Sequence, residues 1–179
     1  ILELEGLDSS FDLMFGIGAH SRAGTPDGIL THTLSMGISN IWLNEQLVGE
    51  IGLWAALAGH YDVPVGLVTG DLAAAREAEA LLGSIETVSV KEATSRFAAN
   101  CLHPELTRKL IMEAAKRAVA RAEEFHPFKP KIPIQLKVEY RDSERAERIS
   151  QREGVIRMDG RTVLRRSDNV LELYSTLLH

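Results

Sequence analysis

Four short apolar runs, at 13–17, 38–43, 63–68 and 85–90, constrain this chain more than any other feature. Each has the length and make-up of a buried strand: Phe15 and Ile17 in the first, Ile41 and Trp42 in the second, valines in the last two. Pro64 stands at the start of its run, where a strand tolerates it. Helical patterns fall between the runs. One covers 47–59, with Asn44 placed to cap it, and the alanine-rich 72–82 is capped by Asp71 and ended by Gly83. Strands alternating with helices admit few architectures. The expected one is a three-layer α/β domain built on a mainly parallel sheet.

On the 47–59 pattern Gly49, Gly52, Ala56 and Gly59 share one face. Helical glycine is unfavourable by about 0.5–1 kcal/mol against alanine, so this small ridge predicts close packing on a sandwiched helix. A long amphipathic helix is expected from His103 to Glu124, with Leu106, Leu110, Ala114 and Ala118 as its apolar stripe. The three prolines in 126–133 read as a linker. Beyond it the composition changes: an alternating strand at 132–140, a charged helix at 142–152, a hairpin around Asp159-Gly160 and a last helix capped by Ser167 or Asp168. This predicts a main domain over 1–129 and a small α+β extension over 130–179.

Several function classes fall away. Net charge is −5 with both signs interspersed, and the arginines of 141–166 are offset by acids, so no basic stripe offers itself to nucleic acid. Charges or glycines interrupt every apolar stretch well short of the roughly 20 residues of a membrane span. The single cysteine, Cys101, excludes an internal disulfide and suits a reducing, cytoplasmic setting. No glycine-rich phosphate loop follows a strand, which counts against a nucleotide-binding protein.

Chemistry concentrates between Gly16 and Glu50. His20 closes the first strand, His32 lies beyond a loop broken by Pro26 and Gly28, and Glu50 falls inside the apolar stripe of its helix. A carboxylate there needs a partner, because burying it unpaired costs several kcal/mol or shifts its pKa until it neutralises. A metal ion shared with His20 meets that need; an ion pair with Arg22 is the alternative. Taken singly, His20 reads first as a hydrogen-bonded or solvated polar residue, and His32 between two threonines as an ordinary polar position on a strand or loop. Asp71 is first a helix cap and second a substrate contact, and Lys91 at the end of the 85–90 strand suits either a surface ion pair or a substrate carboxylate or oxyanion.

The wording and order of these segments add to that reading. Glu5-Gly-Leu-Asp8, Gly-x-His20-x-Arg22-Ala-x-Thr25-Pro26, Thr31-His32-Thr33, Asn44-x-x-x-Val48-Gly49-Glu50 and Tyr61-Asp62-Val63-Pro64-Val65 together resemble the bacterial D-aminopeptidase family of binuclear zinc peptidases. The likeness continues at Thr69-Gly70-Asp71, Ala78-Glu79-Ala80 and Val90-Lys91 and thins after Leu102; the loop near Asp27 is one residue longer here. The resemblance implies that His20 and Glu50 are zinc ligands, His32 the catalytic histidine, the substrate a short peptide with a free amino terminus, and the assembly a homo-oligomer. The family's Asp-x-Glu-Gly first strand and a further histidine have no counterpart here, and Glu3-Leu4-Glu5-Gly6 stands too close to His20 to replace them. The parallel sheet is therefore expected to lack its first strands, with an upstream segment or companion fragment supplying the other ligands of two zinc ions. A non-catalytic paralogue or subunit that binds a small molecule or partner is the rival expectation.

Overall fold

A computed structural model of the chain describes residues 4–176. Its strands and helices follow in the order β1 (Met14–Ala19), β2 (Ile38–Leu43), β3 (Gln46–Val48), α1 (Glu50–His60), β4 (Val65–Asp71), α2 (Leu72–Leu82), β5 (Glu86–Ser95), β6 (Ala98–Cys101), α3 (Pro104–Ala120), β7 (Ile134–Tyr140), α4 (Ser143–Ser150), β8 (Val155–Arg157), β9 (Thr162–Ser167) and α5 (Val170–Tyr174). Glu3 lies outside the described residues.

The fold is α/β, and one sheet is mainly parallel, as the alternation predicts. Its order is β1-β4-β5-β6, with β1, β4 and β5 parallel and β6 antiparallel at the edge. Leu67 and Val88 meet Ala114, Ala118 and Phe125 on the α3 face. On the opposite face Val65, Val68 and Ala19 meet Ile51 and Ala55 of α1 and Ala74 and Ala78 of α2. These are the three layers.

A second sheet, β3-β2-β7-β9-β8, is antiparallel throughout. The 38–43 run was expected beside the parallel strands; β2 instead pairs with β3 and with β7. The division drawn at 129/130 thus runs between strands that hydrogen-bond to each other. An apolar run fixes which face of a strand is buried, not which strand it joins, and β7 begins far along the chain.

Helix α1 joins the two halves. Ile51 and Ala55 face the parallel sheet, while Leu53, Ala56 and Leu57 enter a core with Ile41, Leu136, Val138 and Tyr174. Burial on both sides explains the small-residue ridge. A Cβ at Gly52 would stand 2.7 Å from Val48 Cβ, and one at Gly59 would strike the backbone oxygen of Phe128. The helix begins at Glu50 rather than at 47, because Leu47 and Val48 belong to the β2–β3 hairpin. Asn44 is correspondingly not a helix cap. It takes φ +54° in the hairpin turn, and its side chain accepts from the Gln135 N–H and donates to the Lys131 carbonyl. Asn169, not Ser167 or Asp168, caps α5. The expected caps at Asp71 and Gly83 are present, and Asp142, where the charged helix was expected to begin, caps α4.

Candidate metal centre

His20 comes directly after β1, at the carboxyl end of the parallel strands, where open α/β sheets bind their ligands. Gly70 on β4 makes this approach possible, since a Cβ there would strike the backbone oxygen of Ala19 and lie 2.9 Å from its carbonyl carbon. Glu50 is the first residue of α1, capped by the backbone of Gly49. His32 sits in the loop between β1 and β2.

Three segments distant in sequence converge here. The Nε2 of His20 lies 3.5 Å from Glu50 Oε1, and the Nε2 of His32 lies 3.8 Å from the same oxygen. The imidazole rings stack, with centroids 4.1 Å apart and planes 20° from parallel. One donor atom from each of the three residues lies within 4.8 Å of the other two. Glu50 is buried, both histidines half-buried, so the cluster opens to solvent from the histidine side.

The second nitrogens fix the tautomers. His20 Nδ1 is 3.1 Å from the Ser21 carbonyl and His32 Nδ1 is 2.8 Å from the Leu30 carbonyl. A carbonyl only accepts, so each Nδ1 donates, and a neutral ring then presents the Nε2 lone pair to Glu50. Two lone pairs and a carboxylate oxygen meeting at one point need a cation between them. Without metal, a proton serves. The hydrogen bond to Glu50 raises the His20 pKa against the effect of burial, with help from the Ser21 carbonyl. Burial alone would raise the Glu50 pKa; the His20 bond, the Leu34 N–H at 2.7 Å and the histidine charges outweigh it and hold it low. A neutral imidazole pair plus carboxylate is also a donor set suited to zinc.

The alternative partner for Glu50 is not used. Arg22 donates Nη1 to the Ala23 carbonyl, and its backbone N–H goes to Glu77 Oε2 at 2.7 Å. Asp71 is fully buried with both oxygens engaged. Oδ1 accepts from Ala74 N–H as the helix cap, and Oδ2 accepts from Ile29 N–H, which moors the loop leading to His32. Lys91 does not end its strand, since β5 runs on to Ser95; it pairs in register with Asp71 and Cys101 at the same end of the sheet as His20. Among the described residues its ammonium makes no hydrogen bond or ion pair.

The sequence reading passed over the residues that hold these loops. Arg96, in the β5–β6 turn, accepts Leu30 N–H on its carbonyl and donates to Thr31 Oγ1 at 3.0 Å. Thr33 Oγ1 accepts from Ala23 N–H at 3.0 Å, tying the His32 loop to the His20 loop. Glu77 was legible by the rule applied to Glu50: it is a carboxylate beside the buried alanines 73, 74 and 78 of α2. Burial pushes its pKa up, against the backbone N–H and the charge of Arg22 and the backbone of Gly49.

Known proteins resemble this chain over nearly its whole length. The peptidase M55 family, described as D-aminopeptidase, matches residues 2–179. The D-aminopeptidase of Bacillus subtilis (strain 168) is 36% identical over 176 residues, covering 98% of this chain and 64% of the relative. A solved structure, described as the Zn-dependent D-aminopeptidase DppA from Bacillus subtilis, a self-compartmentalizing protease, superposes with a TM-score of 0.93 at 36% identity. It too is covered over 64% of its length, against 98% of this chain. The chain thus spans just under two thirds of the relatives it matches.

Proposed function

Because this chain belongs to the D-aminopeptidase family, peptidase M55, we propose that it carries the catalytic face of a zinc-dependent aminopeptidase acting on short peptides. The observation that carries the reading is the meeting of two Nε2 lone pairs with Glu50 Oε1, each ring turned by a backbone carbonyl on its far nitrogen. His20 and Glu50 hold the metal, and His32 faces the peptide. Zinc bound at such a site polarises a carbonyl and lowers the pKa of a water toward neutrality.

The chain's own groups do the rest. His32, with Nδ1 committed to Leu30, has only Nε2 to carry a proton to or from the substrate, as an oxyanion partner or as donor to the leaving amine. Lys91 offers a free ammonium at the same end of the sheet for a peptide carboxylate. Asp71, with both oxygens occupied, acts through the His32 loop. A second reading makes His32 a third ligand, and its 3.8 Å separation from Glu50 favours that enough to require a test.

The preference for a D-residue, the second zinc ion, a homo-oligomeric assembly and a cytoplasmic setting belong to the same proposal. The D-preference and the assembly are supported by what the relatives are named for, the second zinc ion by the resemblance to a binuclear peptidase family, and the setting by the lone Cys101. The remaining acidic ligands come from a further segment, in this polypeptide or a companion. The outer edge of β1, which pairs only with β4 among the described residues and has Ile17 59% exposed beside it, suits such a segment.

The test is zinc content and peptidase activity in the intact native protein. His20→Ala and Glu50→Ala should each lose bound zinc and activity together, and chelation should abolish activity that zinc restores. Full zinc occupancy in both variants would sink the reading.

A further inference from the structure

His20 and Glu50 arrive at one point from separate segments, one following β1 and one opening α1. A side chain from α2 stands at their junction. Glu77 Oε2 accepts the N–H of Arg22, two residues past His20. Gly49, immediately before Glu50, passes so close that a Cβ there would strike Glu77 Oε1; it would also lie 2.7 Å from Arg22 Cβ and 3.0 Å from Arg22 Cα. Glu77 Oε1 is sealed from solvent without a well-formed hydrogen bond. A cavity of about 360 Å³ borders Glu77 together with Arg22, Leu47, Arg76 and Leu81, so packing alone does not hold the carboxylate in place.

We propose that Glu77 is a positioning residue of the metal centre: it pins the backbone of the His20 segment against the first turn of α1 and so sets the separation of His20 and Glu50. A sealed carboxylate oxygen without a well-formed hydrogen bond is unfavourable for the fold, so stability alone does not account for a carboxylate at this place. What this geometry gains is registration of two ligand-bearing backbones. The glycine at 49 is the other half of the device, since any side chain would push the two segments apart. Glu77 touches neither ligand side chain in a hydrogen bond, so its action passes through the backbone of Arg22 and Gly49.

The inference rests on the zinc reading, and the experiment separates the two. Zinc affinity is measured by competition with a chromogenic chelator on the metal-free intact protein, alongside its thermal midpoint, for wild type, Glu77→Gln, Glu77→Asp and His20→Ala. Glu77→Gln keeps an acceptor oxygen at the same reach and should bind zinc close to wild type. Glu77→Asp keeps the charge but falls one methylene short, and should weaken zinc binding about 10–100-fold, the usual effect of losing an outer partner of a metal site. Wild-type affinity in Glu77→Asp overturns the proposal, whether or not its metal-free midpoint falls, because Glu77 is then at most structural. A loss in Glu77→Gln as large as that in Glu77→Asp overturns it as well, since the reach of the side chain then does not account for the effect. A wild type that binds no zinc, or a His20→Ala variant that binds it undiminished, overturns the metal reading beneath it.

Discussion

His32 is the residue at which two chemistries diverge. Its ring lies against that of His20, and both aim Nε2 at Glu50 Oε1, His32 from slightly farther away. A ligand and a proton donor both need this orientation, so geometry without a metal admits each. Loss of a positioned acid–base group typically lowers rate by about 10²–10⁴. In the intact protein His32→Ala should therefore keep its zinc and still bind peptide, while kcat falls by about that factor. Metal analysis and kcat on the same purified sample decide the matter: lost zinc makes His32 a ligand, and near-normal turnover makes it a bystander. The three residues themselves were legible in the sequence, Glu50 because a carboxylate on an apolar helical stripe demands a partner. The stacking of the histidines was not. It depends on Asp71, Thr33 and Arg96 folding the His32 loop back over the end of β1, contacts between residues far apart that no local pattern encodes.

Among the elements, α3 is held to the sheet by few apolar contacts and one ionic clasp. Ala114 and Ala118 are buried, but Leu106 and Leu110 of the expected stripe are 45% and 38% exposed, so the N-terminal half of the helix is loosely covered. At the other end Glu86 of β5 binds Arg117 at 2.8 Å and Arg121 at 2.6 Å. Burial alone would raise the Glu86 pKa; the Arg117 and Arg121 hydrogen bonds and charges outweigh it and hold it below the usual value. A carboxylate with a depressed folded pKa stabilises the fold in its ionised form. That stability is complete above the unfolded value of about 4.3 and fades as pH falls through the lower folded value. Glu86→Gln should therefore lower stability by about 1–2 kcal/mol at pH 7, with the difference from wild type shrinking below about pH 4. Denaturant melts at both pH values measure it; a pH-independent difference would mean that lost packing, not the clasp, is responsible. Element boundaries were legible where a cap carries a chemical signal, as at Asp71 and Gly83. They were misread at Leu47 and Val48, whose apolar character suits a strand in the β2–β3 hairpin as well as a helix.

For the whole molecule the parallel sheet, its flanking helices and the position of His20 at its end could be read from alternating runs. The second sheet could not, because the β2–β7 pairing joins segments on either side of the 126–133 linker. What the fold leaves uncovered bears on assembly. Met112 and Val119 lie seven residues apart on one face of α3, 50% and 63% exposed, and with Ala115, Lys116 and Ala120 they line a shallow, almost wholly apolar depression. Phe97 at the β5–β6 turn is 76% exposed. The α3 depression, apart from Phe97, suits a contact between subunits. The proposed homo-oligomer would use it, in keeping with the solved relative described as self-compartmentalizing. Met112→Glu and Val119→Glu together should shift the sedimentation coefficient of the native protein toward that of smaller species, because two charges would then be buried at each contact without partners. The thermal midpoint of the dissociated subunit should stay near that of wild type at matched dilution, since exposed side chains on this face add little to the subunit's own core. An unchanged sedimentation profile would place the assembly contacts elsewhere on the molecule. A collapse of the subunit's own stability would show that this face is instead covered within the chain's native partner.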